Sequence, residues 1–229
     1  MVDRASTWSV VIGCHPNCKF RHFDSTGHSG IQAKDGSSNI EIGRCRFEHA
    51  GQRALNIGES TGLDFFRPNP RGYEARAISI EDCTFLGSMT PVAFVGVDGA
   101  TFRHNTIYRP RRWGIRILQE NRIPEFIPCR NGQVVDNLIV YRSDEMVMPV
   151  NVGEGTSAES FTLARNVWFC LDSPERRRPR LPIPEIDGAY GINPHFQDAE
   201  HGDLRLRGEN SAIRAGVRSV PIGSPNLEP

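Results

Sequence analysis

A lysine in a chain that otherwise uses arginine is the first feature with obvious chemical potential. Lys34 and Lys19 are the only lysines in 229 residues, and lysine and arginine together number 27. A lysine whose pKa is lowered by a nearby arginine can act as a base. Removing a proton next to a carboxylate also needs positive charge to stabilise the enolate-like transition state. Arg67 and Arg116 are the candidates to pair that carboxylate. The triad Lys34, Arg67 and Arg116 would therefore suit β-elimination. Asp35 and Glu59 offer a different chemistry. They follow equivalent positions of two successive repeats, and a carboxyl pair at the right separation can hydrolyse a glycosidic bond. Asp35, Asn56 and Glu59 also supply only oxygen donors, as a Ca²⁺ site requires. Phe65-Phe66-Arg67-Pro68 could set aromatic rings against a sugar and a guanidinium against its carboxylate. The two rings could equally pin a loop to the body of the protein. Glu120, in Arg116-Ile117-Leu118-Gln119-Glu120, is a further polar candidate.

These residues must be positioned by a repeat. The stretches 40–47, 78–85, 100–107, 132–139 and 161–168 share one pattern, with a Cys or Asn anchor followed two residues later by a bulky apolar residue. The anchors are Cys45, Cys83, Asn105, Asn137 and Asn166. Their spacing is irregular around a shortest separation of 22 residues, too short for a propeller blade and without helical periodicity. Short period-2 strands between turns fit a coil of parallel strands. A second strand follows each of the first four anchors: 54–58, 92–96, 114–118 and 150–154, with an earlier one at 30–34. Alternation then predicts an outer column of Gln32, Asn56, Phe94, Arg116 and Asn151. Beside it the alternation predicts Lys34, Gly58, Gly96, Leu118 and Gly153, a flat floor for a ligand. The longest insertions, 59–76, 119–131 and 154–159, flank this face.

The pattern resembles the right-handed parallel β-helix of pectate-lyase-like proteins. The Cys/Asn anchors look like the inward ladder at one corner of such a coil, where stacked side chains hydrogen-bond along the stack. Residues 193–216 resemble the closing segment of bacterial right-handed parallel β-helix repeat proteins, with Asn193 in place of that pattern's Asp. The resemblance implies an all-β solenoid of roughly 22-residue coils over residues 1–188, with a Pro/Arg-rich connector at 173–188. A capping segment and tail would follow at 189–229. It also implies that extended sugar chains bind on the outer strand face, with Gln32, Asn56, Phe65, Phe66, Phe94, Glu120 and Asn151 as contacts. The context of Lys34 resembles the lysine-bearing coil of alginate and chondroitinase B-type lyases. Those enzymes carry Arg-His-Gly on the neighbouring coil, where this chain has Asn56-Ile57-Gly58. Polyuronate lyase is the leading expectation, possible Ca²⁺ its cofactor, and a polysaccharide or oligosaccharide its partner. A non-catalytic carbohydrate-binding protein and a glycoside hydrolase using Asp35 and Glu59 are the alternatives. By resemblance the protein would be secreted or periplasmic, although no signal-peptide pattern opens the chain.

Bulk properties narrow the classes further. Formal net charge is zero, against the basic excess of a general nucleic-acid or anionic-membrane binder. No apolar run is long enough to span a bilayer. Six cysteines are not spaced as a disulfide framework, and Cys45 and Cys83 read as small buried thiols. Cys14, His15 and Cys18 lack a second ligand pair at zinc spacing. The first coil starts without a capping helix, so a partner or a further segment is expected over that edge.

Overall fold

A computed structural model describes residues 29–66, 72–175 and 178–207, preceded by the strand backbones of 10–13 and 19–21. The only helical elements among these residues are two single 3₁₀ turns, Leu63–Phe65 and Ala158–Ser160. Three parallel sheets run the length of the molecule. The first stacks Val10–Gly13, Ser37–Gly43, Ala75–Glu81, Val97–Arg103, Arg130–Val135, Thr162–Ala164 and Glu185–Ile186. The second stacks Lys19–Arg21, Arg46–Glu48, Thr84–Leu86, Thr106–Tyr108, Leu138–Tyr141, Val167–Cys170 and Ala189–Tyr190. The third stacks Ile31–Ala33, Arg53–Gly58, Thr90–Val95, Trp113–Leu118 and Met148–Val152. Each of the first five coils gives one strand to each sheet in turn and the last two give strands to the first and second sheets, so the whole is a solenoid of parallel strands. An antiparallel hairpin, Phe196–Asp198 with Asp203–Leu206, follows the last coil. Its Phe196 and Leu206 pack with Leu138, Val140, Val167 and Phe169 on the second sheet.

Alternation within the short strands creates the core. Ile42, Ile80, Phe102, Val134 and Leu163 stand in register in the first sheet. Phe47, Phe85, Ile107, Ile139 and Trp168 do so in the second. Phe47 and Phe85 stack nearly parallel with ring centroids 4.9 Å apart. Gly132 occupies a position filled by Ile78 and Ala100 on the coils before it. A Cβ there would meet the Phe161 ring at 2.0 Å, so the ring takes the space.

The anchor residues form a continuous ladder at the corner between the first and second sheets. Just before each anchor the chain turns through a left-handed residue: Arg44, Asp82, His104, Asp136 and Arg165, with φ between 51° and 58°. Each anchor N–H then donates to the next anchor's side chain. Cys45 donates to Cys83 Sγ at 3.5 Å, and Cys83 to Asn105 Oδ1 at 2.8 Å. Asn105 donates to Asn137 Oδ1 at 2.9 Å, and Asn137 to Asn166 Oδ1 at 3.0 Å. Asn166 donates to Glu185 Oε1 at 3.0 Å. The last rung is thus a carboxylate, reached within the segment expected to be a connector. Cys45, Cys83, Cys129 and Cys170 are buried thiols, and burial pushes Cys129 up to about 11.

Glu185 also accepts the Trp168 indole N–H at 3.1 Å. Burial is the largest influence on it and leaves its pKa above the ordinary glutamate value. A value raised on folding gives stability that is full below the unfolded pKa and lost as pH rises through the folded one. Measured against Glu185→Gln, wild-type melting temperature is therefore expected to fall as pH rises above the ordinary glutamate value. A pH-independent difference between the two would mean that the carboxylate is not desolvated at this rung.

Candidate functional site

The outer face of the third sheet carries the densest group of polar and aromatic side chains that the sequence singled out. Its register is Gln32, Asn56, Ala93, Arg116, Asn151. Phe94, expected in that column, instead pairs with Ile57 and Ile117. It is 0% exposed in the main core, so it cannot touch a ligand on this face. The expected glycine floor shifts with it. Gly58 aligns with Val95, not Gly96, and Ala93, Val95 and Leu118 form a small buried apolar cluster. The flat floor is replaced by packed side chains over this part of the face.

Arg116 is the centre of what remains. Its Nε donates to Asn151 Oδ1 at 3.0 Å. Its guanidinium carbon lies 4.0 Å from the centroid of the Trp113 ring, and that of Arg112 lies 4.3 Å from the same centroid. Burial, then the charges of Arg53 and Arg112, push Arg116 below the ordinary arginine value. Arg53 completes the group. It donates to Asn56 Oδ1 at 2.8 Å and pairs with Glu120 Oε1 at 2.6 Å. Arg116 itself has no carboxylate partner among the described residues. Met148 stands in register with Trp113 and, with Val147, leaves an apolar margin exposed beside it.

The strand pattern alone does not place Arg53 and Trp113 here. Arg53 bonds Asn56, and Arg116 stacks on Trp113, each pair three residues apart. Strict alternation would put the members of each pair on opposite faces. The alternation breaks at the strand entry, where both Ala54 and Leu55 belong to the core.

Lys34 lies at the other end of the face, in a closed ion pair. Its Nζ is 2.7 Å from Glu59 Oε2. That hydrogen bond is the main reason its pKa lies above the ordinary lysine value. The lowered value expected of a base is therefore reversed. Burial pushes Glu59 up, but the bonds from Lys34 and Gln32 outweigh it and hold the carboxyl below its ordinary value. A general acid needs the opposite shift. The oxygens expected to share a metal are likewise engaged elsewhere, Asn56 with Arg53 and Glu59 with Lys34. Among the described residues no three His, Cys, Asp or Glu side chains gather as metal ligands.

The loops beside the face are pinned by a residue that sequence reasoning missed. Glu74 is 0% exposed, and its Oε1 accepts the Thr61 N–H at 2.9 Å and the Asn121 amide at 3.0 Å. It thereby ties the start of the 59–76 loop to its end and to the 119–131 loop. Gln119 closes the latter by accepting the Cys129 N–H at 2.6 Å. Phe66 is buried and meets Phe126 edge-on at 5.3 Å, whereas Phe65 is 72% exposed. Arg67 lies outside the described residues. No family model matches this chain, and neither the curated proteins nor the solved structures provide a match to it.

Proposed function

We propose that this chain is a right-handed parallel β-helix of the pectate-lyase-like kind, whose third sheet binds an acidic oligosaccharide without cleaving it. One observation carries the reading. Arg116 is half-buried and stacked on Trp113, beside two further arginines, with no carboxylate of its own. A partly desolvated guanidinium favours a bidentate carboxylate or sulfate partner from a ligand. The exposed Val147 and Met148 supply the apolar contact that a sugar ring needs, and Asn151 and Gln32 supply hydrogen bonds along the strand stack.

The non-catalytic reading is preferred to the lyase because Lys34, the base that β-elimination would require, is held protonated by Glu59. The glycosidase pair is disfavoured for the same reason at Glu59. Titration calorimetry with uronate oligosaccharides, and with their neutral counterparts, tests the proposal. Binding selective for the acidic series is expected. Arg116→Ala should weaken it about 10- to 100-fold, the range for a lost charged hydrogen bond, and Lys34→Ala should leave it nearly unchanged. Ultraviolet absorbance of unsaturated ends, followed in the same mixtures, should stay flat. Their appearance would overturn the non-catalytic reading in favour of a lyase, and equal affinity for neutral sugars would overturn the acidic one.

A further inference from the structure

Buried oxygens without partners gather at one corner of the coil, where the third sheet hands the chain to the first. Among the described residues, Asp35 Oδ1, Ser37 Oγ, Thr61 Oγ1 and Glu74 Oε2 are all buried and unbonded. The backbone brings these residues together. The Gly36 N–H donates to the Glu74 carbonyl at 2.9 Å, and Ser37 stands in register with Ala75. The Thr61 N–H donates to the Glu74 carboxylate itself. Asp35 and Ser37 thus lie one rung from Glu74, about 4.8 Å along the stack.

Glu74 makes the arrangement costly as it stands. Its side chain is fully buried, and only uncharged donors reach it, all through Oε1. A buried charge is normally paired, and a buried lone oxygen costs the desolvation of the group. The nearby ammonium, Lys34, is bonded to Glu59 instead. Asp35, Glu59 and Glu74 all lie close enough to act on that ammonium.

We propose that this corner binds a hard divalent cation of the Ca²⁺ class. Glu74 Oε2 and Thr61 Oγ1 are its protein ligands, and Asp35 Oδ1 and Ser37 Oγ are reached directly or through its bound water. The donor set is oxygen only, two carboxylates and two hydroxyls, without nitrogen or sulfur. Such a set selects Ca²⁺ or Mg²⁺ over zinc or copper, and an irregular set completed by water favours Ca²⁺, which tolerates 6–8 ligands in flexible geometry. The ion would clamp the exit and re-entry of the 59–76 loop. It is independent of whether a sugar binds the sheet face, since neither Arg116 nor Trp113 takes part.

The test is calorimetric titration of the EDTA-treated, dialysed full chain with CaCl₂ and with MgCl₂, together with thermal melts. One Ca²⁺ per chain is expected, with weaker Mg²⁺ uptake. At a hundredfold excess over Kd the melting temperature should rise by about 5–10 °C. Glu74→Gln should abolish binding. Thr61→Val keeps the backbone N–H that holds Glu74 and removes only the hydroxyl. It should weaken Ca²⁺ at least about tenfold while the metal-free melting temperature stays near wild type, and it decides the matter even where Glu74→Gln fails to fold. No saturable Ca²⁺ uptake by the wild type, or unchanged affinity in Thr61→Val, would overturn the proposal and leave water as the partner of these oxygens.

Discussion

Asn137→Ala is expected to lower the free energy of unfolding by about 4 kcal/mol, from roughly 1–3 kcal/mol for each buried group left unsatisfied. Asn137 is 0% exposed and sits in the middle of the ladder. Its Oδ1 accepts from both the backbone N–H and the side-chain amide of Asn105. Its Nδ2 donates to the Phe102 and Val135 carbonyls and to Asn166 Oδ1. Alanine removes all five contacts and leaves the Asn105 N–H and the Phe102 carbonyl facing a dry cavity. Domains of this size are stable by roughly 5–15 kcal/mol, so the loss is a large share of the total. Cysteine offers an internal control. At the equivalent rung, Cys83 Sγ accepts from Cys45 and donates to the Ile42 carbonyl at 3.7 Å. Asn137→Cys should therefore cost about half as much as alanine, through longer and weaker bonds. Urea unfolding followed by circular dichroism measures both. A cost below about 1 kcal/mol for Asn137→Ala would mean that the ladder contributes little net stability.

The same ladder shows which parts of the fold are legible in the sequence. Five of its rungs can be found by their shared local pattern, a Cys or Asn two residues before a bulky apolar side chain, because one side chain at one corner must satisfy the same backbone group on every coil. Glu185 escapes such a search, since a carboxylate accepts the Asn166 N–H as well as an amide does but shares no residue type with the other anchors. Phe94 fails for a different reason. Leu55 follows Cys45 by ten residues and Ile115 follows Asn105 by ten, but Val92, which pairs with both, follows Cys83 by only nine. Counting a fixed offset from the anchor therefore slips this strand by one, and a one-residue slip exchanges its faces. Arg116 is placed correctly on the outer column because its coil keeps the ten-residue turn, and Asn151 because the apolar alternation of its own strand sets its face. Trp113, Arg53 and Glu74 are hidden from any periodic reading. The first two depend on the broken alternation at the strand entry, and Glu74 meets Thr61 only because a long loop returns to its own start.

Gly58→Ala is expected to cost at least about 3 kcal/mol, combining left-handed strain with a backbone clash. At Gly58 φ is 84°, and an added Cβ would lie 1.7 Å from the Val95 carbonyl oxygen and 2.8 Å from its carbon. Neither atom can yield without breaking the parallel pairing of the third sheet. The Cβ would also lie 3.1 Å from Glu74 Cβ, so the carboxylate that tethers Thr61 and Asn121 would be displaced with it. Two other glycines separate strain from clash. Gly96 and Gly155 also have left-handed φ, 64° and 74°. At Gly96 the nearest atom to a new Cβ is Glu74 Cγ at 3.0 Å, within a side chain that can shift. At Gly155 the nearest is Gln119 at 3.7 Å, an ordinary contact. Left-handed strain alone is worth about 1–2 kcal/mol, so Gly155→Ala should cost about that much. Gly96→Ala should cost somewhat more, and Gly58→Ala the most. Equal costs at all three sites would assign the whole effect to backbone conformation. The graded series instead locates the extra cost in the contact between Gly58 and Val95, the point where the sheet face, the buried carboxylate and the long loop meet.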